Sequence, residues 1–427
     1  MKIGVAGIWH LGAMYSIGLA ELGHQVIAYD PDANTIQDFE AGKLQVHEPG
    51  LEELLRRNLS KKTIQFTNKE SDLSHLDLFV LAYDTPVDEL DNANNEYVFA
   101  EFRRISRHLS SRTSVMVTSQ LPVGSCETLR EILGESSDSP RITVHPENLR
   151  LGKAIDSFFK PERIIVGTVK GEPNSVIQEA FARIDAPIIW MHDKSAEMTK
   201  HALNAFLATS VTFMGEIAEI CEVEGADAKE VEIGLKSDVR IGEKAYLSPG
   251  LGFAGGTLAR DVRTLSNLQS KIRVESTIFG SLIPSNIHNN NWISRTLARL
   301  SSSIPTPKIC FWGISYTENT TTLRRSEIYK EMKLLLESGA KVSFVENFNI
   351  TEEVDSRIES IEEIEESLVG IDILVVTKKM IKLLDHENLF GTLRNPNFWI
   401  LDPSRLLLRE IPELIDSPKY VTVGKGI

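Results

Sequence analysis

Residues Lys2–Asp30 read KIGVAGIWHLGAMYSIGLAELGHQVIAYD, and this stretch decides the fold. A short apolar run, Lys2–Ala6, ends at Gly7-Ile8-Trp9-His10-Leu11-Gly12. A helix-period segment follows, and a second apolar run, Gln25–Tyr29, ends at Asp30, 18 residues after Gly12. Strand, tight turn, helix and strand in that order open a dinucleotide-binding fold. The turn delivers a pyrophosphate to a helix N-terminus, and an acid at the end of the second strand bonds the ribose hydroxyls. The candidate cofactor residues are therefore Gly7, Trp9, His10, Leu11, Gly12 and Asp30. Trp9 stands where the fingerprint has its middle glycine, the one that lets backbone approach the pyrophosphate, so an empty structural turn is the competing reading. A carboxylate at Asp30 repels a 2′-phosphate, which favours NAD over NADP.

Outward from that stretch the alternation continues. Leu78–Ala82, Ser114–Thr118, Arg141–Val144 and Arg163–Val166 read as buried strands with helix-period segments between most of them, the pattern of βαβ units and a parallel sheet covered on both faces. From about Ser195 to Glu224, residues Met198, Ala202, Ala205, Phe206, Thr209, Phe213, Ile217 and Ile220 recur at spacings of three and four, which predicts a long amphipathic helix. Helical patterning runs to about Leu300, and Ser301–Pro307 (SSSIPTP) marks a boundary. A second alternation follows at Lys308–Trp312, Val342–Val345, Ile373–Val376 and Trp399–Leu401. The expected fold is α/β: two Rossmann-like, doubly wound parallel-sheet domains, 1–194 and 305–427, joined by a central helical region, 195–304. That long apolar helix has no other evident cover, so a homodimer is expected.

Composition narrows the partners. With 427 residues, 42% hydrophobic and 25% charged, the chain has ordinary globular usage and needs no disulfide or metal staple. A net charge of −14 repels phosphate backbones and anionic lipid, which argues against nucleic-acid and membrane partners. No apolar run reaches the roughly 18 residues of a membrane span, and glycines 4, 7 and 12 break the run a signal peptide would need. Cys126, Cys221 and Cys310 are scattered, with no CxxC and no His/Cys cluster, so the expectation is a cytoplasmic protein without a metal site.

Three further features carry chemistry. Lys200 and Asn204, four apart on the long helix, share a face and could reach one substrate oxygen. A lysine moves a proton when burial lowers its pKa and an asparagine amide orients the same hydroxyl, although a solvated Lys beside a packing Asn explains an isolated pair equally. Glu147, in His145-Pro146-Glu147-Asn148, follows a predicted strand, where α/β active sites gather; solvated loop acids are common there too. Gly250–Asp261 has four glycines in seven residues around Phe253, a loop suited to crowding backbone against a ligand.

In order along the chain stand Glu48-Pro49-Gly50-Leu51, Thr85-Pro86, Leu121-Pro122-Val123-Gly124 and His145 through Arg150. Then come Pro161 through Gly167, Ala196 through Lys200 with Asn204, Arg240-Ile241-Gly242, the glycine loop to Asp261, and Gly313 through Arg324 and Ser326. By these motifs, from about residue 2 to 405, the chain resembles the UDP-glucose/GDP-mannose dehydrogenases. That resemblance implies an NAD-dependent oxidoreductase for nucleotide sugars, a polysaccharide-biosynthesis enzyme with a dinucleotide domain, a dimerising helix and a nucleotide-sugar domain. It implies a catalytic cluster of Glu147, Lys200, Asn204 and Asp261, with Thr85, Pro86 and Gln120 at the cofactor. Leu149, Arg150, Phe253, Gly255, Gly256 and Arg324 would lie at the sugar nucleotide, and Arg240 would reach the neighbouring subunit's site.

The departures from the family pattern matter as much. The family's catalytic cysteine falls on Thr257, a poor nucleophile without an adjacent base. The threonine of its Ser-Thr-Val-Pro motif is Gln120, a second acid is Leu151, and its Phe-Lys and Asp-Asp become Tyr316-Thr317 and Thr321-Thr322. The family oxidises an alcohol to an acid through a thioester, so Thr257 predicts that the reaction stops after one hydride. The alternatives are a four-electron oxidation through a hydrated aldehyde, and a nucleotide-sugar-binding protein without turnover.

Overall fold

The computed structural model describes residues 1–86, 93–134, 141–146, 149–150, 152–254, 256–273, 278–302, 304–315, 322–323, 326–380, 387–394 and 396–426. Its contacts divide the chain into two compact units, Met1–Leu203 and Asn204–Ile427, the division falling inside the helix Asp193–Glu224.

The first unit is built on an eight-stranded sheet. Its strands are β1 (Lys2–Ala6), β2 (Gln25–Tyr29), β3 (Ile64–Thr67), β4 (Leu78–Leu81), β5 (Ser114–Val117), β6 (Ile142–Val144), β7 (Ile164–Thr168) and β8 (Ile188–His192), in the order β3-β2-β1-β4-β5-β6-β7-β8. Ile3 of β1 pairs with Val26 on one side and Leu78 on the other. The chain order reverses at that strand, and the crevice beyond its carboxyl end is where open α/β sheets take ligands. Alternate residues feed two cores. Ile3, Val5, Leu78 and Val80 pack with Met14 and Ile17 of the helix His10–Glu21. Phe79, Leu81, Val115 and Val117 pack with Phe102 and Leu129 on the opposite face. Burial on both faces explains why these strands read as unbroken apolar runs.

Two strands of this sheet escaped the sequence reading, and one pairing departs from it. β3 alternates buried and exposed residues and β8 is nowhere fully buried, as edge strands allow, so neither shows a continuous apolar run. β6 meets β7 antiparallel through Val144↔Gly167, so β7 and β8 run against the first six strands. Among the described residues the segment between β6 and β7 carries the short helix Ala154–Phe159.

The second unit carries the helices Ala228–Ser237, Thr257–Lys271, Ile278–Asn290 and Trp292–Ser301, and a six-stranded parallel sheet. Its strands are β9 (Lys308–Trp312), β10 (Lys341–Val345), β11 (Glu359–Ser360), β12 (Ile373–Val376), β13 (Trp399–Leu401) and β14 (Tyr420–Val421), in the order β11-β10-β9-β12-β13-β14. Ile309, Phe311 and Val375 face one core, and Cys310, Trp312, Leu374 and Val376 the other. Among the described residues no helix is long and apolar enough to cross a membrane, and no His, Cys, Asp and Glu cluster fit for a metal ion occurs.

Candidate active site

In the first unit β1 ends at Gly7, whose φ of +85° suits glycine and whose N–H donates to the Tyr29 carbonyl at 3.1 Å. A Cβ on Gly7 would meet the Tyr83 Cα at 2.7 Å, and one on Gly12 would meet the Gly7 carbonyl oxygen at 1.9 Å. Both outer glycines of the fingerprint are thus required by the way the turn doubles back. Trp9 stands at the N-cap position of the helix His10–Glu21 without a side-chain capping bond and is 50% exposed. Leu11 is buried. His10 stands in contact with Glu48 (Nε2 to Oε2, 3.0 Å), and the buried Glu48 carboxylate also accepts the N–H groups of Gly152 and Ala154 at 2.9 and 2.8 Å. Glu48-Pro49-Gly50-Leu51 therefore works as a staple from the first helix to the start of Ala154–Phe159.

Asp30 lies just past β2, half-buried, its Oδ1 accepting the Asp32 N–H at 3.0 Å. Burial pushes its pKa up against the pull of the Asp32 and Ile8 amides. Thr85 Oγ1 donates to the Gln120 carbonyl at 2.7 Å, and Pro86 is exposed. Gln120, Thr118, Ser119, Glu197 and Lys200 line a cavity of about 20 Å³, the room of one water molecule. Leu149 is half-buried and Arg150 exposed.

Two buried anchors, neither of them assigned a role by sequence reading, hold the start of the helix that carries Lys200. Glu197 accepts the N–H groups of Gly124 at 2.6 Å and Cys126 at 2.8 Å, where the helix Ser125–Ile132 begins. Arg130 pairs with Asp193 at 2.7 Å, both nearly without solvent. Glu197 stood within a quoted motif, but its partners lie more than 70 residues away.

In the second unit Asn204, one helical turn after Lys200, donates through Nδ2 to Asp261 Oδ2, and both residues are buried. Asp261 lies one turn into Thr257–Lys271, and Thr257 is that helix's exposed first residue, preceded by Gly256 at φ +100°. The loop before it is pinned by Asn286, which accepts the Phe253 N–H at 2.7 Å and donates to the Phe253 carbonyl at 2.8 Å. A Cβ on Gly252 would sit 2.3 Å from the Asn286 Oδ1, so this glycine serves close packing of the loop. Arg240 is exposed and grips Asp238, Nη2 to Oδ2 at 2.6 Å. Glu147, Leu151, Gly255, Tyr316, Thr317, Thr321 and Arg324 lie outside the described residues.

Three family models match the chain in order: the NAD binding domain of the UDP-glucose/GDP-mannose dehydrogenase family over residues 1–185, its central domain over 194–288 and its UDP binding domain over 310–407. A UDP-glucose 6-dehydrogenase of Bacillus subtilis is 30% identical over 386 residues, 88% of this chain and 87% of that protein. The chain belongs to the UDP-glucose/GDP-mannose dehydrogenase family. A Rickettsia typhi UDP-glucose 6-dehydrogenase is 27% identical across the full length of both chains. The solved structure of a UDP-glucose dehydrogenase from Pyrobaculum islandicum shares the fold, with a TM-score of 0.87 at 24% identity over 100% of this chain and 98% of that one. The protein is an NAD-dependent nucleotide-sugar dehydrogenase by family, and the turn fits that cofactor. Gly7 and Gly12 permit the tight turn, in which a Cβ would strike Tyr83 or the Gly7 carbonyl, a helix N-terminus follows, and Asp30 closes the second strand.

Proposed function

We propose that this dehydrogenase removes a single hydride from a CH–OH carbon of a UDP-sugar-like substrate and releases a ketone or aldehyde. NAD, when bound, supplies the hydride acceptor. Gly7, Trp9, His10, Leu11, Gly12, Asp30, Thr85, Pro86 and Gln120 hold it. Lys200 serves as acid/base or electrostatic partner of the substrate oxygen, and Asn204, held by Asp261, orients that oxygen. Glu147 positions Lys200 or a water, while Leu149, Arg150, Phe253, Gly255, Gly256 and Arg324 hold the sugar nucleotide.

The observation that carries the two-electron reading is the state of every sulfhydryl. Thr257 starts the helix Thr257–Lys271, the place to which the resemblance assigns the family's cysteine, and Cys126, Cys221 and Cys310 are all buried. Burial pushes each thiol up: Cys126 well above its ordinary value, Cys221 above it, and Cys310 to about 11. The thiolate is the nucleophile, so none of them replaces the missing one, and a threonine hydroxyl is almost wholly un-ionised at neutral pH. The room for one water beside Gln120, Glu197 and Lys200 favours a second reading, in which a hydrated aldehyde gives up a second hydride. The test is NADH formed per substrate consumed, with product mass. One NADH and a product two hydrogens lighter is expected; two NADH and an acid would reject the single-hydride reading.

We also propose a cytoplasmic homodimer divided as 1–194, 195–304 and 305–427, in which Arg240 completes the partner's site. Phe206, Phe213 and Ile220, seven apart on Asp193–Glu224, are 67%, 45% and 57% exposed, a stripe suited to a second copy. Inactive Arg240→Ala and Lys200→Ala chains should regain activity when mixed.

A further inference from the structure

The first unit places an arginine beside the strand end that carries the ribose acid. Arg104 lies on the helix Asn95–Ser106, and its Nη2 reaches the hydroxyl of Tyr29, the residue before Asp30. In NADP-binding folds of this kind an arginine near that acid's place receives the 2′-phosphate. Here the guanidinium is already taken. Its Nη2 donates to Glu101 Oε2 at 2.7 Å and to Tyr29 Oη at 2.8 Å, and its Nε lies 3.2 Å from Glu70 Oε1. The captors are themselves held. Tyr29 Oη donates to Glu70 Oε1 at 3.0 Å, and Tyr83 Oη to Glu101 Oε2 at 3.1 Å. The guanidinium carbon stands 6.0 Å from the Tyr29 ring centre, a further if weak attraction. Burial opposes the charge on Arg104, but Glu101, Tyr29 and Glu70 outweigh it, and its pKa stands above the ordinary value.

Charge decides what this means for a cofactor. Asp30, Glu70 and Glu101 set three carboxylates against one guanidinium, so an incoming 2′-phosphate meets net negative charge although an arginine is at hand. A phosphate would have to displace Glu101 from a charge-assisted hydrogen bond and Glu70 from an ion pair to gain Arg104. We propose that Arg104 is a withheld 2′-phosphate ligand: Glu70 and Glu101 sequester its guanidinium and, with Asp30, set the preference for NAD over NADP. The inference rests on Asp30 marking the ribose side of the cofactor site.

The test is equilibrium titration of NAD and NADP against the whole protein, read by calorimetry and independent of turnover. Asp30→Ser alone should weaken NAD and improve NADP binding by less than about threefold, because Arg104 stays captured. Adding Glu70→Gln and Glu101→Gln should tighten NADP by about a further tenfold, the value of one charge-assisted hydrogen bond. Adding Arg104→Gln to that triple variant should return NADP affinity to the Asp30→Ser level. A triple variant no tighter for NADP than Asp30→Ser, or a gain that survives Arg104→Gln, would overturn the proposal while leaving Asp30 in place. If Asp30→Ser changed neither cofactor, the ribose assignment would fall and this inference with it. Should the triple variant melt early, Asp30→Ser with Glu70→Gln alone decides the matter, with about a threefold NADP gain expected and none refuting it.

Discussion

β1 and β9 each end at a glycine with positive φ, Gly7 at +85° and Gly313 at +91°. The Gly7 N–H donates to the Tyr29 carbonyl at 3.1 Å, and the Gly313 N–H to the Val345 carbonyl at 2.9 Å. Asp77 accepts the Lys2 N–H at 2.7 Å just as Asp372 accepts the Lys308 N–H at 2.9 Å. Just past the second strand of each sheet stands an acid, Asp30 or Glu346. From there the two sheets diverge. The first helix starts at His10, directly behind its turn, whereas among the described residues the first helix after Gly313 starts at Glu327. Glu346 is nearly sealed, accepting the N–H groups of Ile314 at 2.8 Å, Ser315 at 2.9 Å and Asn347 at 3.0 Å, with the buried Lys378 Nζ 3.6 Å away. The same frame thus offers a half-buried acid beside a helix N-terminus in one unit, and in the other an acid taken up by three backbone amides and a buried lysine. A Rossmann frame is shared by sites of different use, and the acid's partners tell them apart.

The largest effect should come from chemistry rather than from either frame. Lys200→Ala and Asn204→Ala should each lower kcat by roughly 10²–10⁴, measured with the true substrate at saturating NAD. Near-normal rates in both variants would leave the pair structural and take the chemistry away from this helix. Next in size, Glu346→Gln strips the counter-charge from buried Lys378 and should cost about 3–5 kcal/mol in denaturant unfolding. Combining it with Lys378→Met should recover most of that loss, since the apolar stem no longer buries a charge. A cost below about 1 kcal/mol for the single change would mean that the second sheet does not use its acid as a structural tie.

The glycines sharpen the comparison at smaller scale. Gly12→Ala drives a Cβ to 1.9 Å from a backbone oxygen, so roughly 1–3 kcal/mol of overpacking and weaker NAD binding are expected. In the second unit Gly391, inside the helix Glu387–Arg394, has open space around its Cβ position, and Gly391→Ala should stabilise by up to about 1 kcal/mol. Equal responses of the two variants in thermal melts would show that the first turn is looser than its contacts imply.

How much of this was legible follows from the range of each interaction. The central strands, the glycine turn and the long helix are written in local periodicity, and Lys2–Ala6, Gln25–Tyr29 and Lys308–Trp312 matched residue for residue. β3 and β8 escaped because edge strands bury too little apolar surface to give a run. The clamps of Glu48 on Gly152 and Ala154, of Glu197 on Gly124 and Cys126, and of Glu70 on Arg104 span tens of residues and leave no periodic trace. Lys200, Asn204 and Asp261 were named from motif and spacing. The Asn204–Asp261 hydrogen bond itself needed three dimensions.

The smallest effect tests the comparison most finely, because its sign differs from that at Glu346. Asp30 has its pKa raised, with burial outweighing the backbone amides of Asp32 and Ile8. Its folded value therefore lies above its unfolded value. Such a group penalises the folded state once ionised: the relative stabilisation is fully present below the unfolded value, near pH 4, and is lost as pH rises through the folded one. At neutral pH the Asp30 carboxylate is thus a burden on the protein without cofactor. Asp30→Asn should lift that burden, stabilising the protein at pH 7 by less than about 1 kcal/mol, seen as a slight rise in melting temperature, because solvent screens a half-buried group. Below roughly pH 4 wild type and variant should converge, since both side chains are then neutral. The same variant should bind NAD more weakly, having lost the charge that meets the ribose hydroxyls. Where Glu346→Gln destabilises, Asp30→Asn stabilises. A drop in melting temperature for Asp30→Asn at neutral pH would mean that this acid, too, is consumed by its own fold, and the distinction between the two sheets would have to rest on the helix start alone.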